Sequence, residues 1–241
     1  MTKIRCFTGE KIKLGSIISV SGGSAHHLKN VLRKKEGSLI ELFDGKGFSA
    51  VSEIVSLKKS EVNLEVIEKE SFTKKRGITI NLGISLIKQE AFNLSIQKAT
   101  ELGVDNITPL FSDRSLIQSS EGISKLKKNK WNLIAEGACT QCGENWKPLI
   151  NSPQELIGWA ENESSEVKLV MFPGANKKIS QIKFSTSVSL AVGPEGDFTR
   201  NEIDAFEGLN FIPVSLGQRI LRTETAVISS LSAIRTLCDE F

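Results

Sequence analysis

The stretch "LAVGPEGDFTRNEIDAF", Leu190 to Phe206, decides how the chain is read. An apolar run ends at Gly193-Pro194-Glu195-Gly196, and an amphipathic run follows at once. Glycine leaves no Cβ in the way of a close approach, and proline fixes φ between the two glycines. Thr199 and Glu202 have the T-x-x-E spacing of a capping box, so a helix begins directly after the turn. A strand, an unusual turn and a capped helix make an α/β unit. Open α/β sheets bind ligands at the carboxyl ends of their strands, where this turn sits.

Working outward, strand and helix patterns alternate through residues 73–241. "ITINLGISLI" (78–87) reads as a strand. "QEAFNLSIQKATELG" (89–103) reads as a helix with Phe92, Ile96, Ala99 and Leu102 on one face and Gly103 as its cap. "NITPLF" is a strand, and "EGISKLKKNKWNLIAEGACTQC" (121–142) is largely helical. "VKLVMFPG", "VSLAVGPEG" and "FIPVSLG" read as strands, the first two buried on both faces. "TETAVISSLSAIRTL" closes the chain as a helix with Val227, Leu231 and Ile234 in register. Such alternation predicts an α/β fold with a mostly parallel sheet covered on both sides. Two more apolar strands end in special turns, "MFPGANKK" (171–178) and "VSLGQRILRTETA" (214–226). Three such turns in one half of the chain point to a ligand site.

The first 72 residues form a separate, mainly β domain. Leu39 and Glu41, then Val62, Leu64 and Val66, follow the two-residue period of strands. Asp44-Gly45-Lys46-Gly47 is a hairpin turn, and Leu28, Val31 and Leu32 share the face of a short helix. About five short strands in this length suggest a small barrel. The basic "SFTKKRG" (71–77) is the linker. Residues 1–76 carry twelve lysines and three arginines against nine acids, while the remainder is net acidic. A basic N-terminal part fits a polyanion-binding surface, and equally a solvated lysine-rich face.

Several classes are set aside. No stretch approaches the ~20 apolar residues of a membrane span, and the N-terminus lacks a signal peptide's apolar core, so a cytoplasmic protein without membrane partners is expected. Cys139 and Cys142 form one C-x-x-C, with no second pair or spaced histidines to complete a metal site; His26 and His27 are adjacent. No metal is expected. G-x-G-x-x-G, G-x-x-x-x-G-K-[ST] and G-x-S-x-G are all absent from the sequence.

"VGPEGDFTRNEI" (192–203) with "SLGQRILRTETAVISSLSAI" (215–234) resembles the C-terminal signature of SPOUT-class RNA methyltransferases. More narrowly, it resembles the RsmE family, the 16S ribosomal RNA uracil-N3 methyltransferases. "HHLKNVLRKKEG" and "IQKATELGVDNITPL" are similar to that family too, so the resemblance covers nearly the whole chain. It implies a PUA-like RNA-binding barrel over 1–72 and a trefoil-knotted SPOUT methyltransferase domain over 73–241. It also implies S-adenosylmethionine as cofactor, 16S ribosomal RNA or the small ribosomal subunit as partner, and a homodimer.

Residue by residue, the resemblance assigns Val192, Gly193, Pro194, Glu195 and Gly196 to the middle cofactor loop. Leu216, Gly217, Gln218, Ile220 and Leu221 fall in the last loop, and Pro173 and Gly174 in the first. Arg222 and Thr225 belong to the "LRTET" segment beside the reacting groups. Lys29, Arg33, Lys34 and Arg114 are expected to face RNA. Thr140, Glu144 and Asp197 depart from the family pattern, which has an arginine at the position of Glu144 and commonly a glycine at that of Asp197. A fixed cation beside uracil favours its anionic form, which gives Arg222 the catalytic role. Two alternatives stay open: a SPOUT-class enzyme acting on another RNA such as tRNA, and an RNA-binding module without catalysis.

Overall fold

The computed structural model describes residues 4–68, 71–73, 77–117 and 125–240. They divide into two compact units. One comes from the first 75 residues together with Glu136–Lys147; the other comprises the rest.

The first unit holds β1 (Arg5–Phe7), β2 (Ile17–Ser21), α1 (Gly22–His26), β3 (Leu39–Phe43), β4 (Phe48–Leu57), β5 (Glu61–Val66) and β6 (Ser71–Phe72). The strands run in the order β1-β3-β4-β5-β2, with β6 paired to β4. β1 and β3 are parallel and the other pairs antiparallel. Their inward residues, among them Ile18, Ile40, Leu42, Ile54, Val62 and Leu64, form one core. In β3 the buried face belongs to Ile40 and Leu42, and Leu39 is exposed. The expected turn at Asp44–Gly47 joins β3 to β4, and the Asp44 Oδ1 accepts the N–H groups of Lys46 (2.7 Å) and Phe48 (3.1 Å). One expectation fails. Leu28 is buried but Val31 is exposed, because α1 continues as a π-helical turn over His27–Val31. Its wider i→i+5 spacing, seen in the Leu32 N–H to His27 carbonyl bond of 2.9 Å, takes Val31 off the shared face.

The second unit begins with β7 (Thr79–Ser85), α2 (Gln89–Glu101), β8 (Asn106–Phe111) and α3 (Lys125–Cys142), whose residues from Glu136 belong to the first unit. β9 (Leu149–Ile150), β10 (Gln154–Glu155), α4 (Leu156–Asn162), β11 (Val167–Met171), β12 (Ser187–Val192), α5 (Arg200–Gly208), β13 (Ile212–Val214) and α6 (Thr223–Leu237) follow. Residues 121–124 of the expected helix lie outside the described residues. The strand order is β10-β8-β7-β12-β11-β13, with β9 on β8, and every pair is parallel.

Successive strand residues point to opposite faces, and this sheet uses both. Leu169, Met171, Leu190 and Val192 pack with Phe92 and Ile96 of α2 and Val227, Leu231 and Ile234 of α6. Val170 and Ala191 pack with Trp159 of α4 and Ile203 and Phe206 of α5. The unit is an α/β layer structure with a parallel sheet covered on both faces. Its two ends are clasped. Buried Arg235 donates to the carbonyls of Leu102 (3.0 Å), Gly103 and Ile78 (3.2 Å) and pairs with Glu240. The Glu240 carboxylate in turn accepts the N–H of Ile78 at 2.6 Å. Among the described residues, no helix is long and apolar enough to cross a membrane.

Candidate active site

β12, β11 and β13 are neighbours in the sheet and run parallel, so their carboxyl ends finish side by side. The three special turns therefore meet. The Phe172 N–H donates to the Val214 carbonyl (3.0 Å), and the Thr223 hydroxyl donates to the Gly193 carbonyl (3.0 Å), tying the loops to one another and to the start of α6. Between them lies a cavity of about 280 Å3. Its apolar wall includes Met171, Phe172, Val192, Leu216, Leu221 and Ala226, and its charged rim is Glu195, Asp197 and Arg219. Ile220 lines it while 87 % exposed.

The middle turn is rigid. The Asp197 N–H donates to the Pro194 carbonyl at 2.9 Å. Thr199 and Glu202 form the expected capping box on α5, and the second oxygen of the Glu202 carboxylate accepts the Asp113 N–H at 2.9 Å. Packing constrains both glycines of this turn. A Cβ on Gly193 would lie 3.2 Å from the Phe198 ring and the Phe198 nitrogen, and one on Gly196 would lie 3.2 Å from the Arg114 side chain. Gly217 is different: its φ of +126° is the constraint, with open space where a Cβ would point.

Asp197 adopts φ +61°, the left-handed conformation that glycine takes most readily and aspartate tolerates. Its carboxyl is raised above the usual aspartate value, chiefly by burial and also by Glu202; the Phe198 N–H (2.8 Å) and the Arg114 charge oppose this.

Of the residues expected at the cofactor, Pro173, Val192, Gly193, Pro194, Glu195, Gly196, Leu216, Gly217, Ile220 and Leu221 all line this cavity. Gly174 faces an adjoining recess with Arg200, and Gln218 another with Ser229. Thr225 is exposed in the first turn of α6. Arg222 is the exposed residue that caps the amino end of α6, next to cavity-lining Thr223. Among the described residues it has no ion pair, with Glu224 or any other acid. The Arg114 Nη1 donates to the Gly196 carbonyl at 2.6 Å, bracing the turn. In the first unit, the Lys29 Nζ donates to the carbonyls of Lys58 and Lys59 (3.0 Å), Lys34 is half-buried, and Arg33 is exposed at φ +51°.

A family model for an RNA methyltransferase domain matches residues 74–235, and one for an RNA methyltransferase PUA domain matches residues 20–67. The ribosomal RNA small subunit methyltransferase E of Buchnera aphidicola from Schizaphis graminum is 34% identical over 226 residues, covering 93% of this chain and 92% of that one. The chain belongs to the RsmE family. The Bacillus subtilis RsmE is 30% identical over 239 residues, covering 94% and 93% of the two chains. Among solved structures, the Neisseria gonorrhoeae RsmE bound to S-adenosyl methionine superposes with a TM-score of 0.87 at 30% identity, and 98% of each chain is covered. A Legionella pneumophila protein solved with the cofactor SAM gives a TM-score of 0.92 at 31% identity over 98% of each chain.

Within this RsmE-family chain, sequence reasoning missed Arg219, Asp197 and Ser215 as cavity residues. Arg219 sits inside the quoted "LGQRIL", where a cation between glycine and leucines was the available signal. The two departures in the "TQCGE" segment have local explanations. The Thr140 hydroxyl donates back to the Glu136 carbonyl (2.8 Å), and the Glu144 carboxylate accepts the N–H groups of Asn145 (2.7 Å) and Trp146 (2.9 Å), capping its own turn. Burial pushes the Cys139 thiol up to about 12, with Cys142 and Glu144 adding to the effect, so Cys139 is no ready nucleophile.

Proposed function

We propose that this protein methylates N3 of a uridine in 16S ribosomal RNA, taking the methyl group from S-adenosylmethionine, and that it works as a cytoplasmic homodimer. The observation that carries the reading is the cavity where three parallel strands end, in a chain of the RsmE family. The residues present fit the cofactor: the apolar wall of Phe172, Leu216, Leu221 and Ala226 suits an adenine, and the carboxylates of Glu195 and Asp197 on the rim suit a cationic sulfonium.

When bound, the cofactor supplies a methyl group on a positively charged sulfur, already a strong electrophile. The chain's own task is then mainly alignment of the two partners. Uracil N3 must also lose a proton. Arg222 favours the resulting anion, because its guanidinium keeps its charge and opposite charges promote ionisation. Its position supports this. A cation at a helix amino end sits against the positive end of the helix dipole, which costs roughly 0.3–1 kcal/mol, and no acid among the described residues pairs with Arg222 to offset that. Arg33 and Lys34 meet phosphates, and Lys29 holds the turn beside them.

The test is to incubate the protein with methyl-labelled S-adenosylmethionine and small subunits from cells lacking the activity, then digest the RNA and identify the nucleoside by mass. Label in 3-methyluridine of 16S RNA is the expected result. Label in tRNA would replace the substrate, and RNA binding without transfer would leave a binding module. Light scattering of the purified protein should give twice the mass of the chain.

A further inference from the structure

The first unit carries a second surface that the cavity does not use. Phe48 opens β4 and Phe72 closes β6, and they lie side by side across that strand pair. Their ring centroids are 4.9 Å apart. Both rings remain in water, 39 % and 54 % exposed. The Trp146 ring stands edge-on to Phe72 at 5.9 Å.

The arrangement is rigid. The Trp146 Nε1 donates to the Thr73 carbonyl (2.8 Å), and the Thr73 N–H donates to the Gly47 carbonyl (2.8 Å). Gly47, at φ +96°, packs so closely beneath the rings that a Cβ there would come within 2.7 Å of Trp146 and 2.8 Å of Phe72. Exposed Lys46 adjoins the patch, and the first 76 residues carry an excess of six positive charges.

Two fixed aromatic rings facing water are costly unless something covers them. A basic surround disfavours a cationic partner and favours an anionic one. Unpaired nucleotides combine a phosphate with a flat base that stacks on an aromatic ring whatever its sequence. We propose that Phe48 and Phe72, held by Trp146, form a stacking platform for an unpaired base of the RNA substrate, with Lys46 serving its phosphate. The platform anchors RNA through the first unit, and it rests on the RNA methyltransferase reading above.

The experiment measures binding of fluorescein-labelled twelve-residue oligouridylate by anisotropy, at low salt, to the full-length protein. Removing one stacked base costs roughly 5- to 140-fold in affinity. Phe72→Ala should weaken binding by about that much, while Phe72→Trp retains it and Phe72→Leu does not. The salt dependence should be unchanged, since no phosphate contact is lost. Calorimetric S-adenosylmethionine affinity and the thermal midpoint, read in parallel, should match wild type. A duplex of the same length should not distinguish Phe72→Ala from wild type. Equal affinity of Phe72→Ala and wild type for oligouridylate overturns the platform, as does full retention by Phe72→Leu. Unchanged oligouridylate binding with lost binding to intact small subunits would assign the patch to a protein partner, also overturning it. If wild type methylates 16S RNA and only these outcomes appear, the platform fails alone; if wild type neither binds nor methylates any RNA, the functional reading fails with it.

Discussion

The Thr223 hydroxyl reaches from the first residue of α6 to the Gly193 carbonyl, 3.0 Å away and out of contact with water. One side chain thus fixes the spacing between the middle turn and the final helix. Thr223→Val keeps the shape and strands a buried carbonyl, at a cost of roughly 1–3 kcal/mol. Urea unfolding should register that loss, and calorimetry should show weaker S-adenosylmethionine binding. Thr223→Ser should restore most of both.

Gly193 is limited by Phe198. Gly193→Ala must displace a ring and a backbone nitrogen at 3.2 Å, and overpacking of this kind costs roughly 1–3 kcal/mol. Gly193→Val should abolish measurable cofactor binding while the first unit keeps its fold, read from amide hydrogen exchange over β3, β4 and β5.

Asp197 offers a pH test. Its carboxyl is raised in the folded protein, so its neutral form is the one the fold prefers. Its stabilising contribution is complete below the unfolded value of about 3.9 and is lost as pH rises through the folded value. Asp197→Asn keeps an acceptor for the Phe198 N–H and removes the charge. It should therefore be more stable than wild type at neutral pH, and the difference should shrink toward zero as the pH falls below about 4. A constant difference across that range would mean that charge is not the cause.

Arg222 should separate binding from transfer. Arg222→Ala should leave S-adenosylmethionine affinity near wild type and lower the single-turnover methylation rate by about 100-fold, within the range for positioned electrostatic groups. The rate should then keep rising to higher pH, because uracil N3 must ionise without a neighbouring cation. An unchanged rate would remove Arg222 from the mechanism.

Arg33 and Lys34 should behave as phosphate contacts. Each alanine substitution should reduce the slope of log affinity against log salt by about 0.7 for unpaired RNA. Lys29→Ala should lower the slope less and destabilise the turn at Lys58–Lys59 that it holds.

The layer order and the strand-turn-helix unit around Gly193 were legible because they rest on local signals. Thr199 and Glu202 announce α5 from three residues apart, and the runs at 167–171 and 187–192 announce buried parallel strands. α4, β9 and β10 were not legible, since elements of two to seven residues carry too little periodicity. Val31 was misplaced because a π turn has no simple residue signature. The roles of Gly193 and Gly196 needed coordinates as well, because Phe198 and Arg114, which touch them, are set by the turn's path and not by spacing alone. No local pattern singles out Arg235, and the fold brings it to Ile78 and Gly103.

That clasp has a consequence for biosynthesis. Arg235 and Glu240 are translated long after the residues they hold, and they complete the first strand and the first helix of the α/β unit. Until those two residues have left the ribosome, Ile78 lacks its partners. The β-rich unit, except for Glu136–Lys147, can consolidate as it emerges, but the α/β unit must wait for a partner 162 positions downstream of Ile78, so its cavity forms late and not strand by strand.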